Sequence, residues 1–597
     1  MPRSFSLKSF FSRRGLLVRL VRFRRNDQVV LFFLAVLVGL AVGSAAIAFR
    51  ELIVQLQGLT FGSLEERIAS HLAQLPWWKI LLVPTLGGLA IGLFVHYFMP
   101  DRRPHGVSDV IEASALHGGQ MSVGNGVKAA LVSAASIGVG ASVGREGPLV
   151  HLGAVLGSFI ARRLGLGRRL MRTLLGCGVA AGVAASFNAP IAGVFFALEV
   201  VIGHYALSAF APVVIAGVIG TLITRMHYGD FPAFVLPGSH EIASLWEMPA
   251  FALMGVVAAI TAIIFIYSVA LSEKVAREIP VPAWLRPAGG GVLVGLIALW
   301  FPEVMGVGYE ATDNALAENY GLWFLWALLA AKMAATAISL GSGFGGGVFS
   351  PSLFLGAMMG GSYGLVAASI FPELASDQGA YTIVGMAAVA GAVLGAPIST
   401  IMIVFEMTGD YALTIALMVA TAIASVLVDQ VGLPSYFSWQ LESRGINVKR
   451  GQEVGLLQNI KVRTLLDRNY AALPPGASIQ EVREALPKAP YGELLVVDEQ
   501  GVLVGVITFA DLSDTAFDRS HDGELTAESV ARKKPPLLQA DENLELATSF
   551  FHSAGEPHVP VVDDLHHRKL LGLVHEHEVM AAYHRALIQA RAEERGS

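Results

Sequence analysis

Cysteine and charge are what this sequence has least of. One cysteine, Cys177, occurs in 597 residues, which excludes a disulfide framework within the chain. Charged residues make up 15%, where a soluble domain carries roughly a quarter. The deficit is concentrated before residue 443. Residues 29–49 carry no charge at all, and about twenty such residues cross a bilayer as helix. Similar stretches recur at 78–98, 127–143, 147–161, 173–203, 206–224, 249–271, 287–301, 322–340, 350–371, 380–405 and 411–428. Those too short to cross read as re-entrant or tilted half-helices. The zinc-protease pattern is missing too. It needs two His four apart around a Glu, and His575-Glu576-His577-Glu578 is followed by Val579. His566, His567, His575 and His577 read as a solvated face, with no metal site, and no nucleic-acid partner is expected.

What the chain does have is glycine, 64 residues of it, clustered in the apolar part. Small residues let helices approach closely where lipid supplies no hydrophobic drive. The first 25 residues hold eight Lys/Arg and no acid. Full span length follows without a small-residue cleavage site, so this is read as a basic interfacial segment on the cytoplasmic side. Past residue 443 the composition becomes that of an ordinary charged domain.

Glu146 is the most informative residue. It sits in Gly144-Arg145-Glu146-Gly147-Pro148, with apolar and small residues around it for tens of positions. An ionisable group in that setting is costly and functional by default. A second Gly/Pro island, Gly347-Val348-Phe349-Ser350-Pro351, follows in the matching place of a second half. The halves repeat: Gly178–Glu199 aligns with Gly385–Glu406 over 22 positions without a gap, eight of them identical. Upstream, Pro148, Gly153 and Gly157 match Pro351, Gly356 and Gly360. Paired interrupted helices point to an ion site at mid-membrane between inverted repeats. A Gly-rich break before a Pro lets a helix start inside the protein. Its free N–H groups and positive dipole end then attract an anion. A fixed Lys or Arg there would hold the ion too tightly to release it.

These segments carry a resemblance. Gly144–Pro148, Gly347–Pro351, Phe187-Asn188-Ala189-Pro190 and Pro434-Ser435-Tyr436 resemble, in order, the signatures of the CLC chloride channels and chloride/proton antiporters. The resemblance covers residues 28–440. It implies an all-α polytopic membrane protein with an inverted internal repeat, repeat halves at about 28–226 and 249–442 of a pore domain 28–442. It implies a homodimer with a pore in each subunit, in the bacterial inner membrane with both termini cytoplasmic, that moves chloride and is not an enzyme. Carried over, Val348 and Phe349 supply amides to a central chloride and Tyr436 its hydroxyl. His105, Gly106, Val107, Arg145 and Gly147 complete the anion site. Glu146 is the gating glutamate, competing with chloride when ionised and swinging away when protonated.

Two departures matter. The first anion segment of the family resembles Gly-Ser-Gly-Ile-Pro, where this chain has Pro104-His105-Gly106-Val107-Ser108 followed by Asp109. His105 either donates a ring N–H to the ion or points away, and Ser108 or Asp109 serves as an N-cap. Antiporters of the family commonly carry a second glutamate one residue after the position of Glu199. Here Val200 stands there and relays no proton, although His204 lies a turn away. The expectation is therefore a gated chloride channel. A chloride/proton exchanger using Glu146 is the alternative, and a membrane-anchored nucleotide sensor a third reading that the repeated helix breaks disfavour. Glu199 and Glu406 are expected to make structural hydrogen bonds.

After a linker at 443–460, strands are predicted at 493–498, 502–508, 558–563 and 570–575. Helices are predicted at 478–488, 510–517, 541–553 and from 576. This β-α-β-β-α unit, repeated at roughly sixty residues, resembles a pair of CBS modules, 461–520 and 521–590, with 591–597 as a tail. Thr508 and Asp511 resemble the ribose and phosphate contacts of an adenine nucleotide. His575 and Glu578 stand at the equivalent places of the second module, and a purely structural, dimer-forming pair is the other reading. No cofactor is required.

Overall fold

A computed structural model describes residues 27–65, 67–203, 207–230, 234, 242, 244–446, 460–512 and 523–595. The basic N-terminal segment, His204, most of the 443–460 linker and residues 513–522 lie outside the described residues. The chain divides into two compact units between residues 447 and 448.

Among the described residues, the named elements of the first unit are all helices. Its first half runs α1 (Asp27–Phe61), α2 (Trp77–Phe98), α3 (Val107–Ala115), α4 (Val123–Gly138), α5 (Glu146–Arg163), α6 (Arg168–Phe187), α7 (Pro190–Phe196) and α8 (Leu207–Tyr228). Its second half runs α9 (Met248–Glu278), α10 (Arg286–Ala298), α11 (Tyr309–Leu316), α12 (Leu322–Ser342), α13 (Phe349–Ile370), α14 (Gln378–Leu394), α15 (Pro397–Thr408) and α16 (Tyr411–Gln430). A short α17 (Tyr436–Glu442) closes the unit. Among the described residues, eight helices are long and apolar enough to cross a membrane.

Two apolar runs that read as continuous are broken in the structure. The run 173–203 splits at Asn188 and the run 380–405 at Gly395, both in the left-handed conformation. Each break is followed by Ala-Pro, which starts the next helix in its first turn. A π-helical turn at Ala197–Ile202 ends the first of these runs.

The repeat is visible in the packing. A Cβ on Gly153 would lie 2.2 Å from the Gly178 carbonyl oxygen, and one on Gly157 2.1 Å from that of Leu174. Equivalent glycines of the second half repeat this: Gly356 would meet the Gly385 oxygen at 2.3 Å and Gly360 that of Tyr381 at 2.2 Å. Helices α5 and α6, and their counterparts α13 and α14, cross backbone to backbone because glycine removes the intervening side chains.

The second unit repeats one sheet. β1 (Ala471–Leu473) pairs parallel with β2 (Glu493–Val497), which pairs antiparallel with β3 (Leu503–Thr508). β4 (Leu538–Gln539), β5 (His558–Val562) and β6 (Leu570–His575) follow the same order and sense. The helices α18 (Ile479–Ala485), α19 (Leu544–Ala554) and α20 (Glu576–Arg595) pack with these strands. Ser478 and Glu481 form a reciprocal capping box at the start of α18. The predicted helix at 510–517 is described only as far as a turn at 509–512.

Candidate functional site

The two Gly/Pro islands meet. The Gly144 N–H donates to the Gly347 carbonyl at 2.7 Å, and the Gly347 N–H donates back to Gly144 at 2.8 Å. In the alignment that matches Pro148 with Pro351, these two glycines are equivalent. An antiparallel pair that exchanges both bonds between equivalent residues has a local two-fold axis through it, because the operation carrying one onto the other also carries it back. At this bridge the halves run in opposite chain directions, as an inverted internal repeat requires.

The same exchange occurs at two other helix starts. Glu406 accepts the N–H groups of Ile191 (2.9 Å) and Ala192 (2.7 Å) at the start of α7. Glu199 accepts those of Ile398 (3.1 Å) and Ser399 (2.9 Å), and the Ser399 hydroxyl, at the start of α15. Each half caps a helix of the other, so both acids make the structural bonds expected of them. This also sorts the four Pro-bearing helix starts that the internal repeat pairs. Those of α7 and α15 are plugged by carboxylates. Those of α5 and α13 begin at the Gly144–Gly347 bridge with no side-chain cap, which leaves first-turn N–H groups without an intrahelical acceptor.

Residues 145 to 147 step from one cavity to another. Arg145 lines a cavity of about 680 Å³ together with Tyr309, Arg50 and Arg225. Gly147 lines a second cavity of about 300 Å³, which also takes in His105, Val107, Val348 and Tyr436. Glu146, between them, has no accessible surface. Its Oε1 accepts the Tyr309 hydroxyl at 2.7 Å and lies 3.9 Å from Arg145 Nε. Its Oε2 is buried without a partner among the described residues. The Arg145 guanidinium sits over the Tyr309 ring at 4.7 Å, so the direct hydrogen-bond partner of Glu146 is Tyr309 and not the adjacent arginine.

The walls of the smaller cavity are fixed by polar side chains. Asp109, in the first turn of α3, accepts the Gly106 N–H at 2.8 Å and pairs with Arg103 (2.6 Å) and Arg444 (3.1 Å). Asp109 is thus the capping acid. Ser108 is buried elsewhere and donates to Gln440 Oε1 at 2.6 Å. The Gln440 amide in turn donates to the Tyr436 hydroxyl at 3.0 Å. With an acceptor lone pair occupied, the Tyr436 proton is directed elsewhere. The His105 Nε2 lies 3.2 Å from Asp101 Oδ2, and its ring meets His151 edge-on. Phe349 turns its ring against Phe187 and Phe196. Val200 lies within the π-helical turn.

Tyr309 and Gln440 are the residues that the sequence reading passes over. Gly306-Val307-Gly308-Tyr309 is a third glycine-broken helix start, the one signal that marks Tyr309 in advance.

In the second unit the Thr508 N–H and hydroxyl both donate to Asp511 Oδ2, at 2.8 and 2.7 Å. The expectation of a solvated histidine face fails at His575, which is buried. His575 Nδ1 faces His558 Nδ1 at 2.6 Å, and its Nε2 lies 3.0 Å from Asp467 Oδ2. Register explains this: His558 and His575 are cross-strand partners on β5 and β6. Asp467 joins through a backbone bridge to Leu573. The Tyr491 hydroxyl, donating at 2.5 Å, does most to hold the Asp467 carboxyl below the ordinary carboxylate range.

Such a fold, helical and two-fold repeated with opposed uncapped helix starts around a buried acid, defines a polytopic membrane protein. The profile of the family described as voltage gated chloride channel matches residues 87–429, and that of the CBS domain matches 462–517. A ClcB-like chloride channel protein of Ralstonia nicotianae is 36% identical over 410 residues, 68% of this chain and 95% of that protein. The voltage-gated ClC-type chloride channel ClcB of Escherichia coli is 31% identical over 66% of this chain and 94% of its own length. A slow cyanobacterial chloride/proton antiporter shares the fold at TM-score 0.62 and 22% identity, over 69% of this chain and 97% of that one. A eukaryotic CLC transporter does so at 0.61 and 19%, over 94% of this chain and 98% of that one. The chain belongs to the voltage-gated chloride channel (CLC) family and carries a C-terminal CBS region.

Proposed function

We propose that this protein conducts chloride passively across the membrane under the control of Glu146. One observation carries the reading: a fully buried carboxylate, one oxygen unpartnered, separates two cavities at the place where two uncapped helix starts converge. Chloride is held by the amides of Val348, Phe349 and Gly147 and by the Tyr436 hydroxyl. The segment His105–Val107 forms the opposite wall, and Arg145 adds positive potential on the far side. When ionised, Glu146 takes an anion position itself. When protonated, it leaves that position to chloride.

Passive conduction is favoured over exchange by the region around Val200. The neighbouring acid, Glu199, is occupied in capping α15, and Val200 has nothing to protonate. The protein is read as a homodimer of the bacterial inner membrane, termini cytoplasmic, with residues 28–442 as pore and 461–590 as regulatory CBS pair. For Thr508 and Asp511 to hold an adenine nucleotide, their mutual hydrogen bonds must be exchanged for bonds to the ligand.

The test is reconstitution of the full chain in liposomes under a chloride gradient, with external pH recorded. Chloride flux without proton movement is expected. Uphill proton movement would make the protein an exchanger, and absence of anion flux would remove the transport reading.

A further inference from the structure

A lysine is buried where a bilayer protein can least accommodate one. Lys332 stands in the apolar helix α12 and has no accessible surface. Its ammonium donates to three carbonyls, those of Val304 (3.0 Å), Gly306 (3.0 Å) and Val307 (3.3 Å). Three donors thus meet three acceptors. The Phe354 ring lies 5.0 Å beneath it. A buried ionisable group in a membrane segment marks a functional position by default.

Those carbonyls belong to one short loop. It turns twice through left-handed glycines, Gly306 (φ +61°) and Gly308 (φ +93°). It is tied to the first half where the Gly306 N–H donates to the Gly140 carbonyl at 3.3 Å. The residue after Gly308 is Tyr309, whose hydroxyl holds Glu146 Oε1. A Cβ on Gly308 would come within 2.8 Å of the Phe354 ring and 3.1 Å of Lys332 Nζ, so the loop has little room to shift. Arg145 and Tyr309 are ionisable groups within 4 Å of the Glu146 carboxylate, and Lys332 grips the loop that aims the second of them.

We propose that Lys332 is a positioning residue of the gate: by clamping residues 304–307 it fixes the Tyr309 hydroxyl on Glu146 and so sets the pH at which the gate releases. The inference rests on the gating reading of Glu146. A hydroxyl donating to a carboxylate favours the ionised form. Loosening it lets the carboxylate take up a proton and leave at higher pH.

The experiment is chloride flux against pH in liposomes for the full chain, with Glu146→Gln, Tyr309→Phe, Lys332→Met and the double variant Lys332→Met/Tyr309→Phe. Tyr309→Phe is expected to move the midpoint of the pH dependence up by about one to two units, the size of one hydrogen bond to a charged group. Lys332→Met moves it in the same direction. The double variant moves no further than the larger single change, because both act through one bond. An unshifted midpoint in Lys332→Met, or additive shifts, overturns the proposal. Should Lys332→Met fail to fold, Lys332→Gln keeps two donors and must give a smaller shift of the same sign, and no shift is again refutation. A wild-type pH profile in Glu146→Gln would instead overturn the gating reading itself.

Discussion

Gly144→Ala is the substitution that most sharply separates gating from packing. A methyl at Gly144 would lie 2.9 Å from Glu146 Oε2 and 3.1 Å from both the Gly347 oxygen and Pro351 Cδ. Of these three neighbours only the carboxylate is the free end of a side chain, so it is the part that yields. Overpacking of this kind costs ~1–3 kcal/mol. If that falls on the seated, ionised gate, the closed-to-open ratio changes by about 5- to 150-fold. The control lies across the local two-fold. A methyl at Gly347 would meet Gly147 N at 3.1 Å and Gly147 Cα at 3.2 Å, with Glu146 absent from its nearest neighbours. Both variants strain the same bridge, and only one presses on the gate. In a liposome chloride-efflux assay, Gly144→Ala should conduct faster at neutral and alkaline pH and lose most of its pH dependence. Gly347→Ala, whose methyl abuts the Gly147 amide assigned to chloride, should lower the flux at every pH, keep the wild-type pH dependence and lower the melting temperature in detergent to a similar degree. Equal flux phenotypes in the two variants, or an unchanged Gly144→Ala, would refute the placement of the gate.

Other consequences follow from the same geometry. Glu406→Gln removes a charged acceptor from two N–H groups at the start of α7 and should cost ~1.5–3 kcal/mol, seen as a lower melting temperature with flux per folded molecule unchanged. Gly178→Ala would put a methyl 2.0 Å from the Gly153 oxygen, and should abolish folded protein on size-exclusion chromatography. Ser108→Ala frees the Gln440 amide that engages Tyr436, and should weaken chloride binding in calorimetry without loss of fold. In the second unit, burial and the neighbouring Glu556 push the Glu493 carboxyl up to about 7. The folded state then binds the proton more tightly than the unfolded one, so this contribution to stability is present below pH 4.5 and is lost as pH rises through about 7. Glu493→Gln should therefore match wild type near pH 4 and melt higher at pH 8.

Which of these features a reader of the sequence can reach depends on the range of the interaction that sets them. The helix starts at Glu146 and Phe349 are written locally, as Gly before Pro. The breaks at Asn188 and Gly395 are equally local, but hydropathy alone runs through them. Glu199 and Glu406 stand out because each closes its copy of the aligned repeat. By contrast Tyr309 reaches Glu146 across 163 residues and Ser108 reaches Gln440 across 332; only the fold brings them together. Lys332 is a lone cation that hydropathy passes over in the apolar run 322–340, and nothing nearby in sequence names its three carbonyl partners. His575 looked solvated among its neighbours because cross-strand register with His558, rather than composition, buries it.

The claim beneath all of this is that uncapped helix starts, not fixed cations, hold the anion beside Glu146. A crystal structure of the protein grown in bromide tests it most directly through anomalous scattering. The expected result is a bromide peak within hydrogen-bond reach of the Val348 and Phe349 amides and the Tyr436 hydroxyl. Bromide found only against the rim arginines Arg103 and Arg444, with that position empty, would contradict it.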